Sequence, residues 1–547
     1  MKFIHKTFLT IAMLTSLAIT GCQKYIEEYN PAGRTDNTYY NTAQGFEDLT
    51  KSNYPNLRSI INNPSLFFIG TDIFTSYGTT DANYLNLYTP SFTPSDGSVS
   101  SLWNQLYYAI NVANTTLYWS TQVTGEDPTT LGYRIGEAKT LRAYYYFLLA
   151  ETFGDVPLQI TPTTGPNFNF TRTAESSIYT QIIQDLNDAI AVLPATTPDA
   201  GRVTLGAAQH LLSKVYLTRG YKAYGTPASD FQKAASLADA VIAGPYALKP
   251  VFSTLFDPTV ANFQTNSEVI FAVQYSSTAT TNGSGNSLNQ DFLWDTQVVP
   301  FIARSGLYGK PNYAAVPTPY LFTLFDKTKD SRYLATFWNV LYAQVATGGF
   351  AVGDTAVYYP NVDLTPAQIA AKKYYTINPD QYRTSPFAGL TRSFPETKKF
   401  RELNLPYQDN GGFRNTYVFR LSETYLIDAE ANLQLGNTAK ALQLFNVIRA
   451  RAANPGNDPA TGVSYATEMQ VSTLSLDDIL DERARELYGE ELRWYELKRT
   501  GKLITRTLAH NDEAKASNTL TAKFLLRPVP QSDIDLNQSP LTQNPGY

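Results

Sequence analysis

Cysteine is almost missing from this chain: Cys22 is the single one in 547 residues. An internal disulfide is therefore excluded, and a lone Cys invites a dedicated role instead. Histidine is nearly as scarce, with three in all, of which only His210 and His510 follow Cys22. That leaves no His/Cys ligand set for a metal, and no cofactor is called for. It also leaves a serine triad without a suitably placed base, because neither His lies in a nucleophile-elbow context such as GxSxG. Bases are outnumbered, 43 Lys and Arg against 48 Asp and Glu. An acidic chain without a basic run is a poor partner for nucleic acid. No apolar run is long enough to span a bilayer. The Gly-rich Thr281–Ser287 lacks the Lys and the strand–helix frame of a phosphate-binding loop, and reads as a flexible loop.

What is present points to an ordinary folded protein. Hydrophobic residues make up 43% and charged residues 17%, the balance of a chain with a sizeable core. Aromatics are the surplus, at 13% with 38 Tyr. Tyrosine offers a flat apolar face and a hydroxyl, which suits wet binding surfaces as well as cores.

The amino terminus reads as an export signal over residues 1–21. Lys2, His5 and Lys6 give a basic start, and Phe8 to Ile19 an apolar stretch of fitting length. Ile19-Thr20-Gly21-Cys22 resembles a bacterial lipobox, with Ile where Leu is commoner, so Cys22 is expected to be the acylated first residue of the mature chain. Two or more acyl chains give stable anchoring. Residues 22–45, with Pro31 and Gly33, read as a tether carrying the acylated Cys.

Helical periodicity begins near Phe46–Ile61 and returns at Leu102, Leu106, Ala109, Ile110, Ala113 and Leu117. A longer helix follows through Ala138, Leu141, Tyr145, Leu148 and Thr152, with Gly154 and Pro157 as its stop. Further helices are expected at Ile178–Leu193, Thr204–Arg219 and Phe231–Ala243. The last two carry small residues (Ala207, Ala208, Ala234, Ala238) that allow close approach. A similar helix pair recurs around Tyr425, Ala429, Leu435-Gly436, Ala441 and Phe445, loosely resembling a tetratricopeptide repeat. Residues 64–100 and about 250–415 are instead rich in Gly, Pro, Ser, Thr, Asn and Tyr, with strand-like pieces such as Glu268–Tyr275. Loops on a rigid scaffold are where binding residues gather. Trp103 and Trp119 lie on helical runs and read as core.

Leu476 to Leu503 organises the remainder. Ser475 with Asp478 forms a capping box, Leu480, Ala484, Leu487, Leu492 and Tyr495 make an apolar stripe, and Gly501 is a fitting stop. The spacing predicts one helix whose acids, alternating with bases, face solvent. On that pattern none of them is expected to be catalytic. The order ERxRELxxEExRWYxLKRxGKL, the stretch GEAKTLRAYYYFLLAETFGDVPL and the terminal FLLRPVPQ…QNPGY resemble the SusD/RagB family of surface lipoproteins.

That resemblance implies a mostly helical fold: tetratricopeptide-like helix pairs forming a scaffold with a loop-rich, minor-β ligand-binding region. It divides the mature chain into an N-terminal region, 46–250, and a C-terminal region, 251–547, intertwined in one globule, and it ends the chain in a Pro-flanked strand and a short turn. It implies a non-catalytic protein on the outer membrane that captures a glycan beside a SusC-like TonB-dependent transporter. Peptide capture, as in RagB-like members, and a purely protein-binding adaptor remain the alternatives. By the same resemblance the ligand face falls on Asp72, Tyr77, Asp81, Tyr84 and Tyr88 in the first loop region and on Trp294 and Tyr308 in the second.

Overall fold

The computed structural model describes residues 35–547, apart from 62, 78–82, 304–306, 310, 312–314, 388–389, 404, 406–410 and 491. The fold is mostly helical, with 47% helix against 8% strand. Within the stretch read as a tether, Asp36–Tyr39 already forms a helical turn, and Thr42 caps α1 (Ala43–Lys51) by accepting from the Gly45 N–H. The periodicity of 46–61 breaks into α1 and α2 (Asn56–Ile61).

α3 (Gly97–Trp119) starts where Asp96 accepts the Ser98 and Val99 N–H groups. α4 (Pro128–Phe153) starts at Asp127 with Pro in its first turn, and Gly154 stops it at φ 73°, a conformation that favours glycine. From Gly136 onward nearly every residue of α4 is buried, so it forms the central post, packed against α3 and α5 (Glu175–Ile190). α6 (Leu205–Arg219) and α7 (Pro227–Ile242) form the first helix pair, with Ala207, Ala208, Ala234 and Ala238 fully buried between them. α7 then packs on α8 (Leu421–Gln434), which pairs with α9 (Thr438–Ala452). Two helix hairpins far apart in sequence thus stack as neighbouring repeats would. Trp103 and Trp119 are buried, 3% and 6% exposed.

Strands act as clips. β1 (Phe74–Thr75) pairs antiparallel with β3 (Val316–Pro317). β2 (Val269–Val273) pairs with β7 (Thr416–Arg420), and β4 (Val340–Tyr342), β5 (Thr355–Tyr358) and β6 (Tyr375–Thr376) form the largest sheet. The main hydrophobic cluster runs from Leu57 to Leu541 and draws on both halves of the chain. Near the carboxyl end, Leu526–Pro530 is extended without strand pairing and leads into a short helix, Gln531–Leu536. The Pro-flanked strand expected there is absent.

Leu476–Leu503 departs from expectation in two ways. Ser475 and Asp478 do form the capping box, but the helix ends at Glu486 (α10, Leu476–Glu486) and resumes as α11 (Arg493–Arg499) and α12 (Leu503–His510). Gly489 sits in the break at φ 72°, where a Cβ would lie 2.5 Å from the Phe400 ring. The turn buries Tyr488, which stacks on Phe74 at 5.1 Å. Secondly, Asp478 is exposed as expected, but Glu482, Glu486 and Glu496 do not face water.

Glu482, Glu486 and Glu496 are at most 1% exposed. Arg332 binds Glu482 at 2.7 Å and Glu486 at 3.0 Å, and Arg420 binds Glu486 at 3.1 Å, Glu268 at 2.6 Å and Glu490 at 2.6 Å. Arg451 also reaches Glu486, and Arg499 holds Glu430 at 2.6 Å and contacts Glu496. Burial alone would push these carboxyls up, but the surrounding guanidinium groups hold Glu482, Glu486 and Glu496 well below the usual carboxylate range. Alternation of charge signalled not a solvated face but a buried lattice with partners on other elements.

Some buried acids run the other way. Asp428 on α8 is pushed up to about 7 by burial and by Asp239 of α7. Its Oδ1 accepts from Asn432 at 2.7 Å, while Lys440 lies closer to Asp239 (2.6 Å) than to Asp428 (3.8 Å).

Two measurements follow from these charges. Glu486→Gln leaves Arg332, Arg420 and Arg451 short of a shared anion, and the expected loss is about 3–5 kcal/mol, read as a lower urea midpoint. A loss below about 1 kcal/mol would show the lattice to be energetically slack. For Asp428 the folded carboxyl titrates above its unfolded value of about 3.9. Its contribution is therefore fully present below that value and is lost as pH rises towards 7. Asp428→Asn should melt with the parent at pH ~4 and above it at pH ~8; identical melting curves at both would contradict the assignment.

Candidate functional site

The two loop regions singled out in the sequence meet. β1 carries Phe74 and Thr75 onto Pro317 and Val316, and Thr391 Oγ1 donates to the Tyr77 carbonyl at 2.8 Å. Asn511 after α12 donates to the Thr71 and Phe74 carbonyls at 3.1 and 3.3 Å. The described residues of 72–92, 294–317 and 375–392 are thereby brought together beside the α10–α12 segment.

Most of the seven expected ligand residues are buried there. Asp72 is fully buried and holds Arg493 at 2.7 Å and Arg506 at 2.8 Å. Burial would raise its carboxyl, but the two arginines pull it down to about 2. Tyr77 is 9% exposed, and burial and Asp295 push its hydroxyl up to about 12. Tyr88 is 1% exposed, donates to the Gly70 carbonyl and meets Phe524 edge-on at 5.2 Å. Trp294 is sealed, its Nε1–H donating to the Phe394 carbonyl at 2.9 Å. Tyr308, 3% exposed, accepts from the Tyr342 N–H at 2.7 Å and so pins β4. Tyr84 is half-buried, stacked on Phe92 at 6.0 Å with its hydroxyl on Asp96. Asp81, like Cys22, lies outside the described residues. A side chain with no exposed surface cannot stack on a ligand from solvent, so Asp72, Tyr88, Trp294 and Tyr308 act here as floor and pins. The apolar core under these loops wins the rings.

Besides half-buried Tyr84, other rings reach solvent, and one of them is joined to Trp294 in a ladder. Trp294 lies parallel to Phe387 at 5.6 Å, and Phe387 meets the edge of Tyr375 at 4.8 Å. Tyr375 lies near-parallel to Phe301 at 5.9 Å, and Phe301 stacks on Phe350 at 4.0 Å. Tyr375 is 39% exposed, and Tyr342 on β4 is 45% exposed. Lys373 Nζ stands 4.7 Å over the Phe350 ring and pairs with Asp354 at 3.1 Å. Stacked rings graded from core to surface form a stiff apolar platform with a cation and an anion at its edge. Strand alternation in the run Lys373-Tyr374-Tyr375-Thr376 was the signal available for Tyr375. Nothing local marks Phe301, Phe350 or Phe387, which lie outside the strands and come together only in the fold.

Among the described residues no group of three or more His, Cys, Asp or Glu could hold a metal ion. His510 lies flat on Tyr320 at 3.5 Å, and burial and Arg506 lower its imidazole below the usual value. No described helix is long and apolar enough to cross a membrane.

Known proteins place this architecture. The family described as "Starch-binding associating with outer membrane" matches residues 25–217. A SusD-like protein P2 of Formosa agariphila is 27% identical over 474 residues, covering 84% of this chain and 83% of that one. The starch-binding protein SusD of Bacteroides thetaiotaomicron is 25% identical over 492 residues, covering 84% and 80%. A solved laminarin-binding SusD-like protein superposes with a TM-score of 0.65 at 25% identity, over 92% of this chain and 100% of that one. The SusD family itself matches residues 267–547, the half that carries the α10–α12 segment, the ring ladder and the QNPGY terminus, and the chain belongs to that family.

Proposed function

We propose that this protein is a non-catalytic lipoprotein of the outer membrane that captures a glycan at the cell exterior and passes it to a SusC-like TonB-dependent transporter. The observation that carries the reading is the ladder ending at Tyr375 and Phe350. Sugar rings present apolar C–H faces that stack on such a platform, while charged groups such as Lys373 and Asp354 take hydroxyls. Relatives named for starch and laminarin support a glycan as the ligand class. Asp354, the carboxylate beside the ladder, is held below its ordinary value by the Ala351 N–H and Lys373, the opposite of what a proton donor for glycoside cleavage needs. Cys22 after the apolar leader supports lipid anchoring.

The burial of Tyr77, Tyr88, Trp294 and Tyr308, which removes those rings from any ligand face, would suit a protein-binding adaptor. The exposed Tyr342 and Tyr375 favour glycan capture over it. Weak stacking suits a ligand that must be released again.

Titration calorimetry against soluble glucans and other glycans, with peptides alongside, tests the reading. A glycan should bind, and Tyr375→Ala should weaken it about ten-fold or more, equivalent to about 1.4 kcal/mol, without changing the melting temperature. Binding of peptides in place of every glycan would overturn the ligand class. In cells, Cys22→Ser should lose labelling by radioactive palmitate and leave the membrane fraction; retained labelling would exclude Cys22 as the anchor.

A further inference from the structure

A cavity of about 200 Å³ lies away from the ladder, between α3, the strap 157–170 and the carboxyl-terminal tail. No ladder residue lines it. Its walls are fixed from both sides. On the strap side, the Tyr107 hydroxyl donates to the Pro157 carbonyl at 2.8 Å. Asn111 Oδ1 accepts the Thr163 N–H at 2.7 Å, and Asn114 Nδ2 donates to the Gln159 and Thr161 carbonyls at 3.0 and 3.1 Å. On the tail side, Asn537 brackets Phe170, accepting its N–H at 2.9 Å and donating to its carbonyl at 2.8 Å. A cavity braced this way exists before any ligand arrives, which removes the ordering cost of forming it.

The lining is specific in its chemistry. Trp103 and Tyr107, 4.9 Å apart and tilted, give an aromatic wall, with Phe170 as a further ring. Asp533 accepts the Trp103 indole N–H at 3.0 Å and keeps further acceptor capacity; burial pushes its carboxyl up. The side-chain amides of Asn104 and Gln159 line the same space and have no partner among the described residues. A cavity of 150 Å³ lined by hydrocarbon takes benzene. This one is slightly larger and is lined by rings together with two uncommitted amides and a carboxylate.

We infer that this cavity is a second binding site, for a single monosaccharide ring, stacked on the half-buried rings of Tyr107 and Phe170 over the Trp103 wall, with its hydroxyls on Asp533, Asn104 and Gln159. A six-membered ring with its hydroxyls fits the volume, and alternating donors and acceptors fit a polyol better than a hydrocarbon. The site does not depend on the ladder's role, since it shares no residue with it. A free sugar and the terminal unit of a longer chain have the same chemistry here.

Saturation-transfer NMR with glucose, galactose and mannose at millimolar concentration tests this on the full mature chain. At least one should receive saturation, and Asn104→Ala with Gln159→Ala should lower its affinity about five-fold or more, with an unchanged melting temperature. Both side chains are solvent-accessible, so neither change threatens folding. A polysaccharide captured on the ladder should not displace the monosaccharide; a chain whose end enters the cavity should. No saturation of any of the three sugars, or saturation that persists undiminished in the double variant, would overturn the assignment. Loss of the monosaccharide signal upon Tyr375→Ala alone would do so too, by tracing that signal to the ladder.

Discussion

The fold depends on ion pairs held out of water. Arg332, Arg420, Arg483, Arg493 and Arg499 are each at most 6% exposed, as are the acids that meet them apart from the half-buried Glu490. Charges buried at such depth are tolerable only when each is matched, because the desolvation cost of an unmatched ion is several kcal/mol. Each pair therefore specifies a geometry as much as it contributes energy. Glu486 has to meet Arg332 from the strand-rich middle, Arg420 from β7 and Arg451 from α9, and that requirement places three parts of the chain at once. Apolar packing can slide by a fraction of a residue; a shared carboxylate cannot.

The loop face inherits its rigidity from this lattice. Asp72, pulled down in pKa by Arg493 and Arg506, ties the first loop to α11 and α12. β1 and Thr391 then tie that loop to the second and third. The aromatics sort themselves by depth on this support: Trp294 and Tyr88 below, Phe387 and Phe301 between, Tyr375 at the surface. Buried rings hold the exposed ones in place, and a stiff platform loses little conformational freedom when a ligand stacks on it.

The helices were legible because their signals are local. Asp96, Asp127 and Gly154 mark ends by their own chemistry, and the small residues of α6 and α7 mark a close crossing. The break at Gly489 was harder: an apolar stripe continues across it, and the reason for the turn is the packing of Tyr488 against Phe74, more than 400 residues earlier in the chain. Charge alternation in α10 and α11 misled for a related reason. Acids and bases three apart look self-paired on a helix surface, and Glu482–Arg485 and Glu496–Arg499 are. Glu486 and Arg493, however, find their partners on distant segments. Which loop aromatics face water was illegible for the same cause, since exposure is decided by what packs over a residue rather than by its neighbours in sequence.

The bond between Asp72 and Arg493 joins residues 421 positions apart. Until nearly the whole chain has been released, that acid has no partner and the loop it anchors has no seat. Contacts of such long sequence separation form late and slowly, because closing the intervening chain must precede any gain from the contact. A chain built this way can complete its final shape only once its last tenth is available.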